Sequence, residues 1–138
     1  MVNKIVFSSN STEWETPIDL FKELDSKYHF TLDPAASNDN HKCAKYYTLE
    51  DDGLKHSWGG ETVFCNPPYG RNIGKWVEKA SKEKCITVML LPARTDTKWF
   101  HNFIYNKAKI IFIKGRLKFS GSKKMAPFPS MIVIFNNK

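Results

Sequence analysis

The chain has 138 residues, 41% hydrophobic and 25% charged, enough for one domain with one core and no room for a second. Its formal net charge of +7 is a bias toward a polyanion, and nucleic acid is the commonest such partner. The longest apolar run, Cys85 to Ala93, is broken by Thr87 and Pro92 and is too short to cross a bilayer, so no membrane partner is expected; Met1 to Phe7 lacks a signal-peptide core, and the expected location is the cytoplasm.

Along the chain, Phe7 to Glu15 is polar and reads as loop. Thr16-Pro17 then starts a helix, with Thr16 as N-cap and Pro17 at the first helical position. Phe21, Leu24 and Tyr28 recur at helical spacing and carry that helix over 17–28. Phe30 to Asp33 is a short strand stopped by Pro34, and Ala35 to Lys45 is polar and irregular. Tyr46 to Leu54 holds a short strand and a turn at Asp52-Gly53. Thr62 to Asn66 is the next strand, and a helix over 72–84 follows with Ile73, Trp76, Val77 and Ala80 on one face. Cys85 to Leu91 is a strand stopped by Pro92; Thr95 or Asp96 then caps a helix carrying Trp99, Phe100 and Phe103. Lys109 to Lys114 and Ser130 to Phe135 are strands, Arg116 to Phe119 pairs as another, and Gly121 to Pro129 is a loop. Strands alternating with helices imply an α/β fold with a mostly parallel sheet, and late strands joined by a loop imply an antiparallel edge hairpin.

The three cysteines, Cys43, Cys65 and Cys85, are widely spaced, and Cys65 and Cys85 lie in strand-like runs; buried reduced thiols are the expectation. No paired ligand spacing gathers His29, His41, Cys43 or His56, so no metal is expected.

The segment richest in chemistry is Asn66-Pro67-Pro68-Tyr69, which closes the apolar run Thr62-Val63-Phe64-Cys65. Two consecutive prolines cannot continue a sheet because neither has an N–H to donate. The strand therefore ends in a rigid loop that presents carbonyls and one side-chain amide at its carboxyl end, where open α/β sheets hold ligands. This arrangement suits methylation of an amino group conjugated to a ring or carbonyl, whose delocalised lone pair makes it a poor nucleophile. The Asn66 side-chain oxygen and the Pro67 carbonyl each accept one N–H and turn the lone pair toward a methyl donor; Tyr69 stacks on the flat substrate.

Several ordered motifs extend the pattern: Trp14-Glu15-Thr16-Pro17, Phe30 to Ala36 with its Asp33-Pro34 pair, Asp52-Gly53-Leu54, Cys65 to Gly70, Leu91 to Thr97, Gly115 to Phe119, and Ala126 to Ser130. With these the chain resembles the small phage-type, Dam-like DNA N6-adenine methyltransferases from Trp14 to about Phe135. The resemblance implies a compact Rossmann-like methyltransferase fold, S-adenosylmethionine as cofactor, and methyl transfer to the N6 amino group of adenine in DNA. It implies a single domain over 1–138, without a separate target-recognition domain. It also implies host cytoplasm if phage-encoded, and protection of viral DNA against restriction as the biological purpose.

By resemblance, Asn66, Pro67, Pro68 and Tyr69 are catalytic, and Trp14, Thr16, Pro17, Asp33, Pro34 and Asp52 bind the cofactor. Asp33 or the backbone beside it meets the methionine ammonium, Thr16 holds the carboxylate, and Asp52 accepts from the adenine amino group. Thr16 as a simple cap and Asp52 as a turn residue are the competing readings. The glycine-rich turn of larger relatives is absent: Ala35-Ala36-Ser37-Asn38-Asp39-Asn40 stands there, with Asn38 or Asp39 as candidate ribose contact. A duplex substrate implies base flipping, with Phe119 or Phe128 as a second clamp opposite Tyr69, although core packing competes for Phe119. Arg71, Arg94, Arg116, Lys123 and Lys124 are candidate phosphate contacts. Other readings stay open: methylation of rRNA guanine or protein glutamine, whose enzymes share the tetrapeptide, a degenerate DNA-binding protein without catalysis, and a homo-oligomer that shares the grip on DNA.

Overall fold

The computed structural model describes residues 14–138; the amino-terminal readings, including the loop before Trp14, lie outside the described residues. Helix α1 (Ile18–Tyr28) is followed by β1 (Leu32–Asp33), β2 (Lys45–Tyr46), a single 3-10 turn at Gly53–Lys55 and β3 (Thr62–Cys65). Then come α2 (Ile73–Lys82), β4 (Ile86–Pro92), a π-helical turn (Phe100–Ile104), β5 (Lys109–Phe112) and β6 (Ser130–Asn136).

The six strands form one sheet in the order β2-β1-β3-β4-β6-β5. The β2–β1, β1–β3 and β3–β4 pairs are parallel; β6 is antiparallel to both β4 and β5. The expected α/β plan, mostly parallel with an antiparallel edge pair, is therefore present. The late strands do not pair as a simple flap, however. β6 inserts between β4 and β5, matching Ile86 to Asn136 at one end and Pro92 to Ser130 at the other. Its side chains explain the choice: Met131 to Phe135 are all buried, and a run apolar on both faces needs a central place in the sheet.

The chain moves from β1 outward to β2, then crosses back over β1 to β3. The direction of winding thus reverses between β1 and β3, the point at which such sheets open a crevice at their carboxyl edge. Asp33 ends β1 and Asn66 follows β3, so both motifs leave the sheet at that crevice.

Helix α2 buries Ile73, Trp76, Val77 and Ala80, the face its spacing predicts. Three local expectations are corrected. Thr16 does not cap α1: Pro17 takes the cap position without a side-chain cap bond, and the Thr16 hydroxyl is engaged elsewhere. Neither Thr95 nor Asp96 caps the aromatic helix. The Thr97 hydroxyl accepts from the Phe100 N–H at 3.3 Å, and the segment widens to π geometry, with the Tyr105 N–H donating to the Phe100 carbonyl at 2.9 Å. Arg116 to Phe119 is not a strand. Gly115 turns the chain at φ +78°, and the backbone beyond closes on itself, Ala126 N–H donating to the Leu117 carbonyl, and reaches the segment before α1, Ser120 N–H donating to the Glu15 carbonyl. Residues 116–129 thus form a strap across the carboxyl edge.

Candidate active site

The crevice is a cleft of about 680 Å³ between the loops after β1, β2 and β3 and the segment before α1. Its wall includes Trp14, Thr16, Asp33, Pro34, Asp52 and Asn66. Pro67 and Pro68 also reach it, whereas Pro17 and Tyr69 do not line it. Of the two candidate ribose contacts, Asn38 is in the wall and Asp39 is not.

Asp33 is 4% exposed and held by its neighbours' backbone. The Ala35 N–H donates to Oδ1 at 3.3 Å and the Lys42 N–H to Oδ2 at 2.9 Å. Burial nevertheless raises its pKa above the ordinary carboxylate value, while those N–H groups and the Lys42 ammonium pull it back. Where larger relatives carry glycines, Ala36 donates its N–H to the Tyr47 carbonyl at 2.9 Å, so the loop folds back toward β2.

Asp52 has the turn role given to it and also stands where a ligand could meet it. It lies in the left-handed region at φ 59°, its Oδ1 accepts from the Leu54 N–H at 3.1 Å, and it stands in the cleft wall. Gly53 beside it is required by close approach: a Cβ there would lie 2.0 Å from the Pro34 carbonyl oxygen. This contact locks the Asp52 loop to the Asp33-Pro34 loop.

Asn66 has the most telling environment. Its Nδ2 donates to the Trp14 carbonyl and, at 3.0 Å, to Thr16 Oγ1. Its Oδ1 is buried with no hydrogen-bond partner among the described residues. A buried unpaired acceptor costs about 1–3 kcal/mol and calls for an explanation, of which a ligand donor is one.

Tyr69 differs from its expected role as an open stacking surface. The residue is 7% exposed, its hydroxyl donates to the Leu90 carbonyl at 3.1 Å, and burial pushes its pKa well up. Phe119 and Phe128 close over its ring edge-on at 6.4 and 5.7 Å, and Trp14 packs on both at 5.4 and 5.3 Å. Phe119, 2% exposed, is therefore a core residue of the strap in this conformation rather than an open clamp. The apolar gain from joining four rings accounts for the closure.

Arg71, Arg94, Arg116, Lys123 and Lys124 are all exposed. They do not enter the cleft wall, but topology places them together. Each lies on a loop leaving the carboxyl ends of β3, β4 and β5 or entering β6, at the same sheet edge as Asp33 and Asn66. Sequence reasoning missed Lys42 and Ser120. Lys42 Nζ pairs with Glu15 at 3.2 Å, joining two walls of the cleft, and Ser120 Oγ donates to the Thr16 carbonyl at 3.1 Å, tying the strap down. Both contacts are tertiary, and no spacing signals them. Cys43, Cys65 and Cys85 are buried free thiols, with Cys43 pushed up to about 12 by burial. No described helix is long and apolar enough to cross a membrane.

A family model described as DNA N-6-adenine-methyltransferase (Dam) matches residues 6–137. The chain belongs to this Dam family. It is similar to the DNA N-6-adenine-methyltransferase of Escherichia phage T1, 38% identical over 109 residues that span 75% of this chain and 45% of that protein. It is also similar to the DNA N-6-adenine-methyltransferase of Haemophilus phage HP1, 28% identical over 142 residues, covering 94% of this chain and 82% of that one. The chain thus matches less than half the length of the T1 relative.

Proposed function

We propose that this chain is a methyltransferase domain over residues 1–138 that methylates the N6 amino group of adenine in DNA with S-adenosylmethionine. The observation that carries the reading is Asn66 Oδ1, an unpartnered buried acceptor at the tip of β3 beside a cleft of ligand size. The names of the two phage relatives give the substrate class.

The residues present fit the cofactor. Asp33 offers a carboxylate toward the methionine ammonium, Asp52 an acceptor toward the adenine amino group, and Trp14 and Pro34 apolar wall between them. When bound, the cofactor supplies an electrophilic methyl group on a sulfonium sulfur. Asn66 Oδ1 and the Pro67 carbonyl each accept one N–H of the substrate amine, which draws its nitrogen toward tetrahedral geometry and aims the lone pair. Neither group is a base of useful strength, so the amine keeps its proton through transfer and releases it to water afterward. For a base to reach Tyr69 the rings packed on it must move, and Phe128 is less buried than Phe119. Arg71, Arg94, Arg116, Lys123 and Lys124, exposed on the loops of the carboxyl edge, contact phosphates and so position the duplex without reading its sequence.

Methyl incorporation into DNA, rRNA and a glutamine-bearing peptide, assayed side by side, tests the reading. Incorporation into DNA is expected. Incorporation into RNA or peptide alone would overturn it, and absence of calorimetric S-adenosylmethionine binding would leave only a DNA-binding role.

A further inference from the structure

The two ends of the Asn66 amide have opposite jobs. Nδ2 carries two protons, and both have acceptors: the Trp14 carbonyl and Thr16 Oγ1. Oδ1 is left buried and unpartnered, which is the state an amine-receiving group needs before substrate arrives. A primary amide can turn over end for end. Turned, Asn66 would set its oxygen against the Trp14 carbonyl, acceptor facing acceptor, and would present N–H groups to an incoming N–H. A carbonyl only accepts, so it fixes the orientation, and the Thr16 hydroxyl adds the second point that fixes the plane.

Thr16 is well placed for this task. It is 2% exposed and its own carbonyl receives the Ser120 hydroxyl. Its hydroxyl contributes nothing to the helix that follows, since α1 has no side-chain cap bond. A threonine before Pro17 would ordinarily spend its oxygen on the helix N-terminus. Here the oxygen has been taken by a side chain fifty positions away in sequence.

We propose that Thr16 is a positioning residue for methyl transfer, holding the Asn66 amide with Nδ2 inward so that Oδ1 receives the substrate N–H. The proposal rests on the methyltransferase reading above and replaces the role of Thr16 as a cofactor-carboxylate ligand. Thr16→Val removes the hydroxyl and keeps the shape; Thr16→Ser keeps the hydroxyl. In uniformly ¹⁵N-labelled protein without cofactor, the Asn66 side-chain N–H groups exchange slowly with water in the wild type and Thr16→Ser, and faster in Thr16→Val. In steady state, Thr16→Val lowers kcat by about 10- to 100-fold, as expected for a misplaced reactive contact, with KM for DNA and the calorimetric Kd for S-adenosylmethionine unchanged. Thr16→Ser restores kcat.

A raised cofactor Kd with normal kcat at saturation would overturn the proposal and return Thr16 to the carboxylate. Unchanged amide exchange and kcat in Thr16→Val would also overturn it. Asn66→Asp is an independent arm, since it keeps the acceptor but has no proton for Trp14 or Thr16. Loss of kcat with cofactor affinity kept is expected, and wild-type activity would overturn the holding role even if Thr16→Val did not fold. Wild-type protein that makes no N6-methyladenine would sink the functional reading, while the exchange comparison would still decide the contact.

Discussion

Asn66 and Tyr69 sit three residues apart, yet the sequence describes one of them far better than the other. A polar residue placed between an apolar strand and two prolines is expected at the carboxyl end of its strand, beside the crevice, and Asn66 stands there in the cleft wall. Tyr69 carries no such constraint, because an aromatic ring serves equally as a stacking face or as core, and only the tertiary arrival of Phe119 and Phe128 decides for core in this conformation. Thr16 was misread for a related reason: the cap and the Asn66 contact compete for one oxygen, and only the folded chain brings Asn66 to it. Asp33 yields a prediction at this scale. Burial holds its folded pKa above the ordinary carboxylate value, so on acidification the folded chain takes up this proton before the unfolded chain does. Its contribution to stability is fully present below the unfolded value and is lost as pH rises through the folded one. Cofactor ammonium recognition needs the ionised form and runs the other way. The carboxyl carbon of Asp33, followed by NMR, should titrate above 3.8, with S-adenosylmethionine affinity falling over the same interval as pH drops. Affinity that holds flat through that titration would remove Asp33 from the ammonium site.

The elements were legible where periodicity was strong and obscure where loops compete for backbone partners. Helix α2 and strands β3 and β4 follow their apolar spacing closely. The strap over 116–129 looks like strand-forming sequence at Arg116 to Phe119, but its backbone bonds run within the strap, from Ala126 to Leu117 and from Ser122 to Phe119, and from Ser120 to Glu15 before α1, not to a sheet neighbour. The aromatic helix was recognised, but its π turn rests on the Tyr105 N–H reaching the Phe100 carbonyl, which spacing cannot reveal. The junction of the Asp33 and Asp52 loops gives a test of element placement. A methyl group at position 53 would collide with backbone, at 2.0 Å from the Pro34 oxygen, so no side-chain rotation can relieve it. Gly53→Ala should therefore cost about 1–3 kcal/mol of stability, read by urea unfolding, and should weaken cofactor binding because the two acidic loops move apart. Unchanged stability together with unchanged affinity would show that the loops are not locked together.

For the whole molecule, one topological fact joins charge to chemistry: the parallel strands and the insertion of β6 send every candidate phosphate-binding loop out of the same sheet edge as Asn66. Composition announced the charge, and chain order could not announce this convergence, since it depends on β6 lying between β4 and β5. The net +7 should give DNA binding that weakens steeply with salt. Neutralising Lys123 and Lys124 to Gln should flatten the slope of log K against log salt by about 0.9 for each phosphate contact removed, with cofactor affinity unaffected. An unaltered slope would take the strap loop off the DNA face. The central claim, that Asn66 orients an adenine amine for methylation, is met most directly by incubating labelled S-adenosylmethionine with unmethylated DNA, digesting to nucleosides, and comparing wild type with Asn66→Ala. The account predicts N6-methyladenine from the wild type and a turnover lower by about 10²-fold or more in the variant, with the variant still folded and binding DNA. Near-normal turnover by Asn66→Ala, or a wild type that binds cofactor and DNA yet methylates no adenine, would contradict it.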